Sequence, residues 1–235
     1  MNKILSGLRA ELSELSDTKL QASSQHYFKE SVKTYGIRTA TVGQLAGKYY
    51  QKIKPLDKAS VLGLCEELQQ SGYIDESFIA YNWSNRISKS FETTDWPTLS
   101  RWVSRYVSNW AECDTLCNHT VGNFIMKYPE YINELKAWTK SDNRWVKRAA
   151  AVSLIVPARK GLFLDDVFAI TDSLLTDSDD MVQKGYGWML KVASQAHLQP
   201  VFDYVMKHKA RMPRTALRYA IEKMPQHLRE QAMAR

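Results

Sequence analysis

Four residues of this sequence carry side chains that could act together on a nucleic-acid substrate: Trp110, Asp114, Arg148 and Trp188. Trp110 and Asp114 are four residues apart, so they share one face wherever this stretch is helical. A carboxylate one turn from a large aromatic ring can stabilise a developing cation and orient a water molecule, and a guanidinium can hold a phosphate. The combination favours a site that presses indole rings against a sugar and takes a cationic nucleotide.

Each of these residues also has an ordinary structural interpretation. Asp114 could form a salt bridge to a neighbouring helical repeat, including one to Arg148, and the spacing alone favours neither role. Trp188 is flanked on its own helix face by Lys184 and Lys191. This setting is compatible with a partly exposed ring in a groove as well as with a core residue. The sequence leaves both alternatives open for Asp114 and for Trp188.

Composition indicates a globular protein without a disulfide framework. The 235 residues are 44% hydrophobic and suffice for one large domain or two small ones. Three cysteines are too few, and odd in number, for a secreted disulfide scaffold. The chain has no apolar run of about 20 residues that would span a membrane, and no apolar signal core. These features predict a soluble, cytoplasmic protein.

The net charge of +7 is concentrated in the second half of the chain. Residues 140–235 carry sixteen Lys and Arg against ten Asp and Glu, whereas residues 1–139 carry sixteen against fifteen. A basic half favours a polyanionic partner, with nucleic acid ahead of a membrane. A solubilising surface charge is the plain alternative.

The dominant apolar period is that of a helix. Leucines 5, 8, 12 and 15 follow one another at spacings of three and four, and a similar face runs from Val42 to Tyr49. Thr41, Asp57 and Asp95 are expected to start helices. All seven prolines can be placed at helix ends, and no strand pattern persists. The sequence therefore predicts an all-α fold.

A weak internal repeat indicates how the helices are arranged. Residues 145–154 align with 181–190 at an offset of 36 residues, and residues 214–221 form a looser third copy. A Ser-Asp pair that could cap the helix precedes each of the first two copies, at positions 141–142 and 178–179. A unit of this length with a basic second helix is typical of HEAT-like hairpins, which stack into a curved α-solenoid. We expect one such domain over residues 1–235.

Basic side chains recur on the second helix of each copy. They are Arg144, Lys147 and Arg148 on the first, Lys184 and Lys191 on the second, and Arg214 and Arg218 on the third. Stacked repeats would align these cations into a concave basic groove that matches a duplex phosphate backbone. Ordinary solvated helix faces are the alternative for any one of them.

The sequence offers little support for a metal site. Cys113, Cys117 and His119 read C-x3-C-x-H, but structural zinc usually needs four ligands at familiar spacings. Buried helical cysteines are the favoured interpretation. Glycine-rich phosphate loops and hydrolase motifs are missing as well.

Three segments together resemble the AlkD family of DNA alkylation repair glycosylases. They are residues 110–114, 143–150 and 184–188, and the resemblance extends over roughly residues 20–225. It implies HEAT-like repeats whose concave surface grips duplex DNA. It also implies excision of cationic alkylated purines, such as 3-methyladenine and 7-methylguanine, by cleavage of the N-glycosidic bond without base flipping.

The same resemblance assigns roles to the four residues named at the outset. The family's catalytic aspartate falls on Asp114, its two site tryptophans on Trp110 and Trp188, and its backbone-binding arginine on Arg148. Duplex DNA with alkylated bases is the implied partner, no metal or organic cofactor is implied, and the protein is expected to act as a monomer. The alternative function is a non-catalytic HEAT-like scaffold that binds nucleic acid or protein.

Overall fold

The computed structural model describes residues 3–234, and their secondary structure is helical. Within that range the only strand-like pairing is an isolated bridge between Lys33 and Tyr73. The contacts divide the chain between Thr115 and Leu116 into two compact units. The all-α prediction is confirmed, while the assignment of the whole chain to one domain stays a prediction. None of the described helices is long and apolar enough to cross a membrane.

Between residues 3 and 115, the first unit contains seven α-helices with short 3₁₀ turns between them. The helices are α1 (Lys3–Glu14), α2 (Thr18–Ser24), α3 (Thr39–Ile53), α4 (Lys58–Gln70), α5 (Ile74–Arg86), α6 (Trp96–Tyr106) and α7 (Trp110–Thr115). The 3₁₀ turns are Gln25–Tyr27, Ser88–Ser90 and Thr93–Asp95. Helix α5 packs against α3, α4 and α7 and so forms the centre of this unit.

The second unit begins with a π-helical segment, Leu116–Val121, and continues with nine α-helices up to residue 234, the last one described. They are α8 (Gly122–Lys127), α9 (Ile132–Trp138), α10 (Arg144–Val152), α11 (Ile155–Arg159), α12 (Leu164–Leu174), α13 (Asp180–Ala196), α14 (Leu198–His208), α15 (Arg214–Ile221) and α16 (Gln226–Met233). A 3₁₀ turn, Pro129–Tyr131, precedes α9. Helix α13 contacts α10, α11, α12, α14 and α15 and is the centre of this unit.

Apolar periodicity identified the buried faces well and the helix ends less well. The predicted α3 face from Val42 to Tyr49 is buried, and Asp57 caps α4 by accepting from the Ser60 amide. The predicted cap at Thr41 is wrong, because α3 starts at Thr39 after Arg38, whose extended backbone ends the preceding loop without a side-chain cap. Leu15 is exposed because α1 ends at Glu14.

The three copies of the internal repeat correspond to α10, α13 and α15. Asp179 caps α13 as predicted, but α10 is capped by Asn143, whose side chain accepts from the Trp145 amide. A Cβ atom at Gly187 would lie 2.7 Å from the Tyr219 Cβ and 2.9 Å from the Ala216 carbonyl oxygen. Glycine at this position therefore permits the close packing of α13 against α15.

Candidate functional site

Trp110 is the first residue of α7 and is partly exposed. Its indole Nε1 donates a hydrogen bond to the Tyr27 carbonyl oxygen at 3.1 Å. Its ring stacks on Phe28, with centroids 5.5 Å apart and planes inclined by 22°. Both partners belong to the segment after α2. This segment therefore holds the indole on one side, and the residue remains partly exposed to solvent.

A single amide side chain shapes the segment that holds Trp110. Gln25 donates through Nε2 to the Glu30 carbonyl oxygen at 2.7 Å, and its Oε1 accepts from the Val32 amide at 3.1 Å. These bonds fold the chain back on itself around positions 25–32. The segment that holds Trp110 is therefore fixed by its own hydrogen bonds, although it contains no long helix.

The start of α7 is fixed by a reciprocal set of bonds. Asn109 Oδ1 accepts from the Glu112 amide at 3.0 Å, as expected of a capping residue. Glu112 Oε2 in turn accepts from the Ser108 amide at 2.9 Å and from its hydroxyl at 3.0 Å. Burial raises the pKa of the Glu112 carboxyl, and the bonds from Ser108 oppose that shift.

Asp114 lies one turn after Trp110 on the same short helix and is partly exposed. The shared helical face predicted from the spacing is thus present within α7. Both side chains of the pair retain access to solvent. Neither belongs to the buried core of the first unit, in contrast to Ala111, Glu112 and Cys113 on the opposite side of α7.

The π-helical segment that opens the second unit was not predicted. π-Bulges are rare and often lie at functional sites. Its end is marked by Gly122, where a Cβ atom would lie 2.9 Å from the Ser153 carbonyl oxygen and 3.3 Å from that of Cys117. A side chain at this position would push the segment away from the end of α10. Periodicity could not reveal one extra residue in a turn, although the conspicuous glycine could have hinted at a close approach.

Arg148 packs between α10 and α13 and is only 5% exposed. Its Nη1 donates to the Met181 carbonyl oxygen at 2.6 Å, in the first turn of α13. A Cβ atom at Gly185 would approach the Arg148 Cγ to 3.2 Å, so glycine makes room for this side chain. Arg148 therefore joins two repeat helices, and its predicted contact with a DNA phosphate stays a prediction.

Trp188 lies in the middle of α13 and is partly exposed, whereas Tyr186, Gly187, Met189 and Leu190 around it are buried. Trp188 is therefore not part of the fully buried core of α13, and its predicted place in a groove stays a prediction.

Most of the predicted basic row is already paired with carboxylates of the second unit. The ion pairs are Arg144 with Asp179 (2.9 Å), Lys147 with Asp177 (2.8 Å), Lys184 with Asp180 (3.1 Å) and Lys191 with Glu222 (3.0 Å). Arg214 and Arg218 differ, since both are exposed and neither forms an ion pair within the described part of the chain. The sequence pattern predicts a helix cap at Asp179 but does not predict that Asp177, Asp179 and Asp180 pair with these cations.

Asp179 serves two structural purposes at once. Its Oδ1 accepts from the Met181 and Val182 amides at 2.8 and 3.2 Å and so caps α13. The same carboxylate forms an ion pair with Arg144, whose Nη2 donates a hydrogen bond to Oδ1 at 3.1 Å and whose Nε lies 2.9 Å from Oδ2. Arg144 and Arg148 thus tie one side of α10 to the first turn of α13.

The cysteines are buried thiols, at positions 65, 113 and 117. Within residues 3–234, no group of three or more His, Cys, Asp or Glu side chains is arranged to hold a metal ion.

A family model described as DNA alkylation repair enzyme matches residues 8–224. Two solved structures are similar to this fold. A predicted DNA alkylation repair enzyme from Enterococcus faecalis has a TM-score of 0.80 at 16% identity, over 90% of this chain and 97% of that one. The protein smu.31 from Streptococcus mutans UA159 has a TM-score of 0.58 at 18% identity, over 79% of this chain and 97% of that one. No curated protein matches the sequence significantly.

Proposed function

Because the chain belongs to the family of DNA alkylation repair enzymes, we propose that it is a DNA glycosylase that excises cationic alkylated purines from duplex DNA. The observation that carries the proposal is the arrangement on α7, where Trp110 and Asp114 lie one turn apart with solvent access. The hydrogen bonds of Glu112 and Asn109 and the stack of Phe28 on Trp110 hold this turn in place before substrate arrives, as electrostatic preorganisation requires.

The positive charge of the alkylated base supplies much of the activation of the N-glycosidic bond for cleavage. Alkylation at N3 or N7 gives the purine a positive charge, so that the C1′–N bond breaks with its electron pair leaving on the base. The base departs neutral, and the sugar becomes an oxocarbenium-like cation. Asp114 stabilises this cation, orients the water whose oxygen adds to C1′, and accepts the proton that this water loses.

The two indoles and Arg148 bind the damaged nucleotide in this proposal. Trp110 and Trp188 each offer a π-face to the cation, worth about 0.5–2 kcal/mol, and Arg148 holds a nearby phosphate. Many glycosylases extrude the target base into a pocket. Here the charge of the lesion is the recognised feature, so the reaction proceeds without base flipping, and it uses neither metal nor organic cofactor.

Binding of duplex DNA by the basic row involves an exchange of partners. Arg144, Lys147, Lys184 and Lys191 reach phosphates only by giving up the carboxylates they hold in the free protein. Each exchange gains little net free energy, because a partly exposed ion pair is replaced by another. Exposed arginines such as Arg214 and Arg218 carry no such cost.

The decisive experiment measures release of 7-methylguanine from methylated duplex DNA. Wild type should release the free base, and Asp114→Asn should do so at least about 100-fold more slowly, the range expected for loss of a positioned general base. Asp142→Asn, an exposed aspartate of the second unit, is the matched control and should retain activity. A wild-type protein that binds the DNA but releases no base would favour the non-catalytic scaffold. Equal release by Asp114→Asn would remove the role given to Asp114.

Arg148→Ala tests the phosphate contact separately. Each lost phosphate contact should reduce the slope of log K against log salt by about 0.9. Thermal unfolding must be recorded in parallel, because Arg148 also bonds to the Met181 carbonyl. A lowered melting temperature with an unchanged salt slope would make Arg148 purely structural.

A further inference from the structure

The first turn of α5 buries three consecutive polar side chains. Asp75 is 3% exposed, and Glu76 and Ser77 are each 1% exposed. Buried polar groups need hydrogen-bond partners, and a buried carboxylate destabilises the fold unless it is bonded. We call these three residues the anchor turn. Since they are closed off from solvent, their partners within the first unit indicate what they do.

Asp75 and Glu76 hold the segment that connects α2 to α3. Asp75 Oδ2 accepts hydrogen bonds from the Thr34 hydroxyl and from the Tyr35 amide, each at 2.8 Å. Glu76 Oε1 accepts from the Tyr35 hydroxyl at 2.9 Å. The Tyr35 ring stacks on Tyr73, the residue before α5, with centroids 4.1 Å apart. Backbone, hydroxyl and ring contacts therefore fix this end of the segment to α5.

The other end of the same segment carries both groups that contact Trp110, namely the Tyr27 carbonyl oxygen and the Phe28 ring. The Gln25 side chain accepts from the Val32 amide at 3.1 Å and so closes this end into a loop. Val32 lies two residues before the part that the anchor turn holds. The support of the indole therefore continues through bonded residues as far as α5.

Ser77 links the anchor turn to the helix that carries Trp110. Its hydroxyl forms a hydrogen bond with the buried Glu112 carboxyl on α7, and α5 packs against α7. The same carboxyl accepts from the Ser108 amide at 2.9 Å, just before α7 begins. Consecutive residues of one turn thus hold both the support of the indole and the helix that carries the indole.

We infer that the anchor turn positions the Trp110 indole for base excision, with Asp75 as the main positioning residue. A site gains rate when its reacting groups are held in one geometry before substrate binds, and supports that share one buried helical turn cannot move independently. Asp75 contributes most, because one of its oxygens accepts both a backbone and a side-chain bond. Glu76 keeps an ion pair with Arg9 at 3.0 Å even without Tyr35. The effect on excision rests on the proposed function, whereas the position of the indole is measured without DNA.

The test follows the indole N–H of Trp110 by ¹H–¹⁵N NMR, with its signal assigned from Trp110→Phe. In Asp75→Ala, exchange of this hydrogen with water should become at least about fivefold faster, as expected when a typical hydrogen bond no longer restrains the segment. Trp83 is the internal control, since its Nε1 donates to the Ala46 carbonyl oxygen at 2.9 Å within the same unit. Its exchange should not change.

A gentler double variant keeps the Asp75 carboxylate. Thr34→Val with Tyr35→Phe removes the two hydroxyl groups that donate to the anchor turn. It should accelerate the same exchange, so the inference can be tested even if Asp75→Ala does not fold. Tyr204→Phe is the matched control, because it removes a hydroxyl that donates to Asp172 at 2.6 Å in the second unit. In single-turnover excision from methylated duplex DNA at saturating protein, the double variant should be several-fold slower and Tyr204→Phe should match wild type.

Three results would overturn the inference. The first is wild-type hydrogen exchange at Trp110 in both variants. The second is an equal acceleration at Trp83, which would indicate a general loosening of the first unit. The third is a displaced indole with an unchanged excision rate. A wild-type protein that excises nothing would contradict the proposed function instead, and the exchange data would still decide whether the anchor turn holds the indole.

Discussion

The two candidate site tryptophans are held in place by different means. Trp110 begins a six-residue helix and is fixed through its own side chain, by a hydrogen bond to the Tyr27 carbonyl and a stack on Phe28. Trp188 lies inside the 17-residue α13, and no hydrogen bond or ring contact of its indole is found among residues 3–234. Its position is set by the backbone of α13, which Gly187 allows to pack closely on α15.

This difference determines which substitutions should displace each indole ring. Changes near Trp110 should disturb the ring while the rest of the first unit stays folded, because its restraints are few and local. Changes that move Trp188 must move α13, which contacts five other helices of its unit. Activity and stability should therefore separate at the first tryptophan and fall together at the second.

The largest effect is expected for Gly187→Ala. The added Cβ would lie 2.7 Å from the Tyr219 Cβ and 2.9 Å from a backbone oxygen, so α13 and α15 must move apart. Overpacking of this kind costs about 1–3 kcal/mol, and we expect a lower melting temperature together with slower excision. Gly43→Ala is the control, because nothing lies within 4 Å of its added Cβ and the helix should gain about 0.5–1 kcal/mol. An unchanged melting temperature for Gly187→Ala would refute the backbone explanation.

An intermediate effect is expected for Phe28→Leu. The variant keeps an apolar side chain but removes the stack under Trp110, worth about 0.5–1.5 kcal/mol. Single-turnover excision should slow several-fold, with a smaller fall in melting temperature than for Gly187→Ala. Phe168→Leu offers the matched control, since Phe168 stacks on Tyr204 with centroids 4.5 Å apart in the second unit. Similar rates for both variants would show that the stack does not position Trp110.

The smallest effect concerns the pH dependence of Glu112. Burial raises the pKa of this carboxyl in the folded protein above the ordinary glutamate value of 4.5, so the neutral carboxyl stabilises the fold below that value. This contribution is lost as the pH rises through the higher folded pKa. Relative to wild type, Glu112→Gln should therefore gain stability as the pH rises from about 4 to 8, as measured by thermal unfolding. A stability difference that is constant with pH would contradict this assignment.

The features that could be predicted from the sequence are those that local residue chemistry determines, namely buried helix faces and helix caps. Apolar spacing located the buried face of α3, and short polar residues located the caps at Asp57 and Asp179. The cap predicted at Thr41 was wrong, since a cap depends on where the preceding loop turns and not on residue type alone.

The acidic partners of the basic side chains could not be predicted from the sequence in the same way. The cations of the basic row are evident from the sequence. Their ion pairs with Asp177, Asp179, Asp180 and Glu222 depend on how neighbouring helices pack. The π-helical turn could not be predicted from the sequence for a related reason. Whether a helical turn takes one extra residue depends on tertiary contacts such as the close approach of Gly122 to the Ser153 carbonyl oxygen. The roles of Asp114, Trp110, Trp188 and Arg148 remain predictions of the resemblance.

The double use of Asp179 restricts which residue that position accepts. Asparagine would still cap α13, yet its neutral amide would remove the negative charge that pairs with the Arg144 guanidinium. Glutamate would keep the negative charge, but its longer side chain is a poor helix cap. Serine would cap and leave Arg144 without its counter-ion. Only a short carboxylate meets both demands, so a substitution there would loosen the start of one repeat helix and its tie to the preceding one in a single step.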